Sequence, residues 1–533
     1  MNLDSNIVRY SDFGAVGDGV KDDFDALYNA HVYANENNLP VVAQPGAIYY
    51  IGESFVKSIP VKTNLTLTGA KIIIDDRGSV AYANRSNALF ILEREHPVKY
   101  FVDESLEALS PKPISKGQEF IDWLVPVLES KCMVRFTNSN HRDFVRFGSN
   151  QNAGNPRTDG IIIDTNGKVD SDTPVVFDFD CFTKIEIFRV DDTPITLDGG
   201  YFETICCRAV PETEYKNKYH AYSRGIKVHR PNSTVKNITH RVVDEPEITG
   251  LLNESYPYHA FLDFSNTYNA TLSDSDLTGH TTYFEDKPAT ESTNWVKPKP
   301  VAMGSYDFVV MYSINVKFIR MVQNGTDIAA TKYWGIMASN GCKNLEFYQS
   351  RFSRFDAHRG FWGGKIIDCE LGHSFNIIGG GKLEVVNTSK MGGSFIAIRG
   401  DYGATFDGDV ILKNCTLIPI KPYYEIPIDE RLTSARVFHV GFSSDNVGYC
   451  NWNFGYTCYM PRNIVIDNFK CDVQDLAMFN IVKDTAFDDA NSNKYMVTDS
   501  ITYLGDSETI NVTVGGDECK ILKSIPITVK GNK

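Results

Sequence analysis

A polar turn residue recurs at Gln349, Asp368, Asn387 and Asn414, at steps of 19, 19 and 27 residues, each time behind a short alternating strand and ahead of a small residue. The copies are Glu346-Phe-Tyr-Gln-Ser-Arg-Phe352, Lys365-Ile-Ile-Asp-Cys-Glu-Leu371, Glu384-Val-Val-Asn-Thr-Ser-Lys390 and Ile411-Leu-Lys-Asn-Cys-Thr-Leu417. A unit of roughly 20 to 25 residues with strands and no helix cannot bury its own apolar face, so it must stack on its neighbours. The repeat therefore predicts an all-β chain wound as a single-stranded parallel β-helix, a solenoid whose long flat flank suits a polymer.

Solenoids grow in one dimension without new cores, so 533 residues need not mean several globular domains. A net charge of -14 with no compensating basic run argues against nucleic acid. No run of 18 apolar residues is present, which argues against a membrane span, and the polar start at Met1-Asn-Leu-Asp-Ser is not that of a secretion signal. Eleven cysteines, none in CxxC spacing, fit neither a disulfide framework nor a zinc site, so no metal and no cofactor is expected. Cys369 and Cys415 share a repeat position with Ser350 and Thr388, which predicts small, reduced side chains stacked inside neighbouring coils. A cytoplasmic location, or a virion surface if the gene is a phage's, follows as the expectation.

Residues 1–75 read as an N-terminal cap and first coil. Val8 to Phe13 is expected as a strand, 14–19 as a glycine-rich turn, and a helix from about Phe24 to Asn37 with Asp22 and Asp23 as its caps. Leu65 to Ile74 reads as the first full coil. Residues 76–165 break the pattern and are expected as an insertion with a short helix around Phe120 to Leu128, laid on the solenoid flank. Residues 166–480 read as the parallel β-helix proper, and 481–533 as a β-rich closing segment.

The run Tyr10-Ser-Asp-Phe-Gly-Ala-Val-Gly-Asp-Gly-Val-Lys-Asp-Asp23 resembles the opening of the pectate-lyase-like superfamily, which holds polygalacturonase-related glycoside hydrolases, polysaccharide lyases and phage tailspike depolymerases. With the repeats, the resemblance spans most of residues 8–480. It implies a right-handed parallel β-helix with an N-terminal helical cap and, loosely, an oligo- or polysaccharide partner. It implies a homotrimer if the chain is a tailspike. The aspartates and glycines of the run read as turn and capping residues.

Residues at one coil position lie about 4.8 Å from their counterparts one coil along. The stretches 353–360, 371–376 and 398–403 occupy comparable positions, which predicts one patch of Asp356, His358, Arg359, His373, Asn376, Arg399 and Asp401. Hydrolysis of a glycosidic bond needs a protonated carboxyl and a second carboxylate. Asp356 and Asp401 are the expected catalytic pair, with His358 and Arg399 tuning them or holding substrate. His373, Asn376, Arg359, Trp334, Trp362, Tyr402 and His280 are the expected substrate-binding residues, with Tyr456 and Tyr459 closing over them. Asp407 and Asp409 stand in reserve, although their place in Phe406-Asp-Gly-Asp-Val better suits a turn, and Asp178 and Asp180 are expected to alternate along one strand face, away from the site.

The ordered Asn-Thr-Asp, Asp-Asp, Gly-His-Gly and Arg-Ile-Lys motifs of polygalacturonases are absent, and no calcium-binding carboxylate set of a pectate lyase stands out. The leading expectation is a glycoside hydrolase acting on a glycan along the flank. A polysaccharide lyase and a tailspike or receptor-binding β-helix are the alternatives.

Overall fold

A computed structural model describes residues 6–52, 57–77, 88–146, 151–190, 192–205, 224–244, 260–277, 307–323, 336–339, 341–403, 405–420, 431–440, 456–473, 475–480, 495–496, 498–505, 511–514 and 527–530. Its strands wind into a solenoid with three flat faces. The first is a sheet of 14 parallel strands, from Val8–Arg9 through Cys342–Tyr348, Phe361–Ile367, Gly379–Val386 and Phe406–Lys413 to Ile527–Lys530. The second begins with six parallel strands from Asp18–Asp22 to Asp276–Leu277 and continues through the starts of Arg351–Ala357 and Glu370–Ile377 to Lys470–Cys471. The third runs from Ile59–Val61 through the ends of those two strands to Asn511–Val514. The expected all-β parallel β-helix is the fold, read here from its strand pairing.

The sharp corner between the first and second faces explains the repeated polar residue. Asn237, Asp274, Arg320, Gln349, Asp368, Asn387, Asn414 and Asn468 all take left-handed backbone conformations, with φ between 48° and 56°. Asn and Asp tolerate that region because a short polar side chain can bond locally. Here the side chains bond along the stack: Asn387 Nδ2 donates to Asp368 Oδ1 at 2.9 Å, Asn414 to Asn387 at 3.0 Å and Asn468 to Asn414 at 2.9 Å. In each case the partner is the equivalent side chain one coil away. A second ladder before the first face joins Asn269 to Asn232 and Asn344 to Asn315.

Alternation does the rest. Leu345 and Phe347 point inward, and Phe347 stacks on Phe318 of the previous coil with ring centroids 4.6 Å apart. Glu346 points outward between Lys317 and Lys365. Ser350, Cys369, Thr388 and Cys415 line one internal row, and burial pushes the Cys369 and Cys415 thiols up to about 12. They are inert small residues, as their repeat position implies.

The cap helix is Phe24–Asn37, burying Phe24, Leu27, Ala30, His31 and Ala34. Phe24 N–H donates to Asp22 Oδ1, whereas Asp23 turns back and accepts from the Val16 and Gly17 amides, so only Asp22 caps. Val8–Arg9 leads into a 3-10 turn at Tyr10–Phe13 and already belongs to the first sheet, so coiling starts before residue 65. At the other end Ser500–Leu504 and Ile527–Lys530 continue the first face, so these two strands of the expected closing segment belong to the solenoid.

The insertion differs most from expectation. It is an antiparallel sheet of Lys99–Phe101, Cys132–Asp143, Asn155–Ile163 and Lys184–Arg189 with its own apolar core around Phe136, Phe179 and Ile187. The predicted helix is a 3-10 turn at Asp122–Val127, and an α-helix lies instead at Asp103–Leu109. The insertion thus runs to Arg189, beyond the expected limit of 165. The buried Lys343 ammonium of the first face bonds Asp159 Oδ1 at 2.7 Å and the Pro174 carbonyl at 2.5 Å, welding the insertion to the solenoid.

Asn414 donates one ladder bond and accepts another, so Asn414→Ala should cost about 2–3 kcal/mol, from two hydrogen bonds and a strained positive φ. Asn414→Gly should lose only the bonds. Because solenoids unfold piecewise, the readout is amide exchange in Phe406–Lys413 and Asn463–Asp467. Protection should fall further for alanine than for glycine; equal losses would show that φ strain is not part of the ladder's role.

Candidate functional site

Coil stacking brings most of the predicted patch together. Asp356 is paired with Asn376 across the third face, and Asn376 with Ala397 just ahead of Arg399. Asp356 Oδ1 accepts from Arg399 Nη1 at 2.7 Å and from Asn376 Nδ2 at 3.2 Å; Oδ2 meets His358 Nε2 at 2.9 Å and the Arg354 guanidinium. Arg399 turns its other edge to Asp401, with Nε–Oδ1 3.0 Å and Nη2–Oδ2 2.7 Å. Arg146, from the insertion, reaches Asp401 Oδ2 at 2.8 Å.

This network corrects the catalytic assignment. Asp356 has no exposed surface. Burial alone would raise its carboxyl, but Arg354, His358 and Arg399 outweigh it and hold the group well below the usual carboxylate range. A sealed, permanently charged carboxylate can neither reach a glycosidic oxygen nor carry a proton to it. Asp401 has both oxygens in ion pairs with Arg399 and Arg146. Burial lowers His358, against the pull of Asp356. Tyr402 is 2% exposed, its ring flanked by the Arg146 and Arg399 guanidinium groups, so it is wall and not substrate surface. Arg359 is half-buried, and its charge bears on the Tyr312 and Tyr402 hydroxyls. Trp334 and His280 lie outside the described residues, as does the side chain of His373.

Beside this network, where the insertion overhangs the first face, is a cavity of about 330 Å³. Its walls include Trp362, Phe177, Phe144, Tyr456 and Tyr459, with Asp143, Asp178 and Asp407 as carboxylates and Lys116, Arg157 and His141 as basic groups. Trp362 points outward from Phe361–Ile367 and meets Phe177 edge-on at 5.2 Å. The floor depends on glycine. Gly379 has φ +128°, and a Cβ there would lie 2.3 Å from the Phe361 carbonyl; a Cβ on Gly408 would lie 1.9 Å from the Gly381 carbonyl.

The three carboxylates are held differently. Arg157 grips Asp143 with two hydrogen bonds of 2.9 and 3.1 Å, and His141 lies 3.1 Å from the same group. Asp407 is clamped by Lys116 Nζ at 2.6 Å and Arg462 Nε at 2.7 Å. Asp178 is exposed and accepts the Lys116 backbone N–H at 2.7 Å through Oδ1. Lys116 therefore spans Asp178 and Asp407 across the cavity. Asp178 does not alternate with Asp180 on a strand: Asp180 turns away to Asn138. Asp409 bonds Asn463. The ion network and the cavity share a wall, because Tyr456 donates to the Tyr402 carbonyl at 2.7 Å and Phe144 lies two residues before Arg146.

No protein-family model matches the chain, and no curated protein does. Among solved structures, the chain is similar to the Pseudomonas phage phi297 tailspike gp61, at 9% identity and TM-score 0.45 over 93% of this chain and 80% of that one. The Gp54 tailspike of Acinetobacter baumannii bacteriophage AP22, solved with A. baumannii capsular saccharide, matches at 8% identity and TM-score 0.47, covering 98% and 79%. PfbA, a surface adhesin of Streptococcus pneumoniae, matches at 12% and 0.39, covering 93% and 100%. Among the described residues no helix is long and apolar enough to cross a membrane.

The folded-state carboxyl of Asp356 ionises far below the value of about 3.9 in an unfolded chain, so its contribution is complete above that pH and is lost as pH falls below it. Asp356→Asn should cost roughly 3–5 kcal/mol at neutral pH, by removing the buried negative charge that Arg354 and Arg399 both face. It should also flatten the acid limb of a stability-versus-pH curve. An unchanged acid limb would contradict the assignment.

Proposed function

We propose that this chain binds a glycan in the cavity between the insertion and the first face, and hydrolyses a glycosidic bond there with Asp178 and Asp407. The observation that carries the reading is the lining itself: flat aromatic faces beside carboxylates in a recess, the combination that holds sugar rings and protonates their linkages. Asp178, exposed and engaged through one oxygen, is the group free to donate a proton to the leaving oxygen. Asp407 is held by the half-exposed Lys116 and Arg462 side chains, which, unlike the largely buried Arg399 and Arg146 beside Asp401, can give way to substrate; it then faces the positive charge that develops on the sugar and accepts the proton of the incoming water. Trp362 and Tyr459 provide stacking surfaces. Asp356, Asp401, His358, Arg399 and Asn376 act behind the wall by fixing Arg146 and Tyr402.

The clamping of Asp143 and Asp407 favours one second reading, a glycan-binding β-helix without turnover. Incubation with a panel of neutral and acidic polysaccharides separates the cases. Hydrolysis predicts new reducing ends without the ultraviolet absorbance of an unsaturated sugar. Absorbance would indicate a lyase, and retention without cleavage the binding module. Asp178→Asn should lower turnover at least about 100-fold, and Trp362→Ala should weaken binding about tenfold or more. Full activity in both variants would remove the cavity from the account.

A further inference from the structure

The insertion leaves the solenoid after Phe90–Leu92 and rejoins it before Ile195–Asp198. At this root the side chains of Glu95, His96 and Asp192 bring one ligand-type atom each within 4.8 Å of one another. Two come from the outgoing segment and one from the returning segment. Asp192 is the unusual member: its side chain has no exposed surface, and among the described residues neither carboxylate oxygen accepts a hydrogen bond of good geometry. Burial, the largest influence, pushes that carboxyl up, against the nearby Arg230 and His96 and the Glu95 backbone N–H. A buried carboxylate so weakly hydrogen-bonded is costly unless something cationic meets it.

Arg230 does not fill that role directly. It is fully buried and spends its donors on the Thr193 carbonyl at 3.0 Å and on the Glu95 carboxylate. Asp192 is left facing His96, whose Nε2 lies 4.0 Å from Asp192 Oδ1. That gap is too long for a hydrogen bond and only about half an ångström wider than the spacing of two ligand atoms on a tetrahedral ion with bonds of about 2.0–2.2 Å, so a small side-chain movement would close it on one. Glu95 and His96 are each about one-third exposed, so an ion could enter from solvent and complete its shell with water.

We propose that Glu95, His96 and Asp192 form a binding site for a divalent transition ion of the Zn²⁺ type, which clips together the two chain segments at the root of the insertion. One imidazole with two carboxylates suits such an ion better than Ca²⁺, which prefers an all-oxygen shell of six to eight ligands. The clip would set the angle at which the insertion overhangs the first face.

Calorimetric titration of the tag-free chain with Zn²⁺ should show one ion per chain. Asp192→Asn and His96→Ala should each weaken it at least about tenfold. Cys181→Ser, which removes an exposed thiol, should leave it unchanged. No uptake, uptake unaltered in both ligand variants, or loss only in Cys181→Ser would each overturn the proposal. Thermal melts guard against misfolding, since asparagine is the same size as aspartate and carries no charge. Zn²⁺ should raise the melting temperature of the unmodified chain and not that of Asp192→Asn; an equal rise in both would overturn the site.

Discussion

Coil register depends on one backbone constraint, the left-handed residue at the corner between the first and second faces. A single residue with φ near 50° turns the chain sharply enough for the next strand to start a new face. Because it is an amide or carboxylate in most coils, it also bonds the same residue one coil away. A slip of one residue would break that ladder and turn every inward side chain outward. Strand pairing, the aromatic stack through Phe318 and Phe347, and the row of Ser350, Cys369, Thr388 and Cys415 follow from the register so fixed.

The cavity arises where the regular solenoid is interrupted twice. One interruption is the antiparallel insertion, anchored by the buried Lys343–Asp159 pair. The other is local: around 360–364, 379–381 and 408, glycines replace side chains, coils approach closely, and Trp362 stands on the outward side of its strand, largely covered by the insertion. The Asp356 and Asp401 network stiffens the wall between them, since Arg146 ties the insertion to the corner that carries Tyr402. Charge is thus used for architecture in one place, and within one wall's thickness for a recess open to solvent.

The repeat made the solenoid and the inert cysteines legible, because alternation and a fixed turn residue are local properties that the fold obeys, and helical spacing behind capping aspartates did the same for the cap helix. The same logic placed Asp356, Asn376 and Arg399 side by side. It could not say that these groups would neutralise one another, since burial depends on what lies across the corner. The insertion was misread because its strands pair antiparallel across long gaps in sequence, and Phe120 to Leu128 carried a helical spacing that Pro126 cut to a 3-10 turn. Asp143, His141 and Arg157 gave no signal for the same reason. One signal was present, the Gly379-Gly-Gly381 run inside a repeat that otherwise alternates, marking where backbones touch and a recess can form.

The most direct test of this account is the structure of the chain soaked with oligosaccharides released from, or retained out of, the polysaccharide panel. The account predicts a sugar stacked against Trp362 with its linkage between Asp178 and Asp407, under the insertion. Sugar bound instead on the open third face over Arg354 and Arg399, with the cavity unchanged, would contradict it.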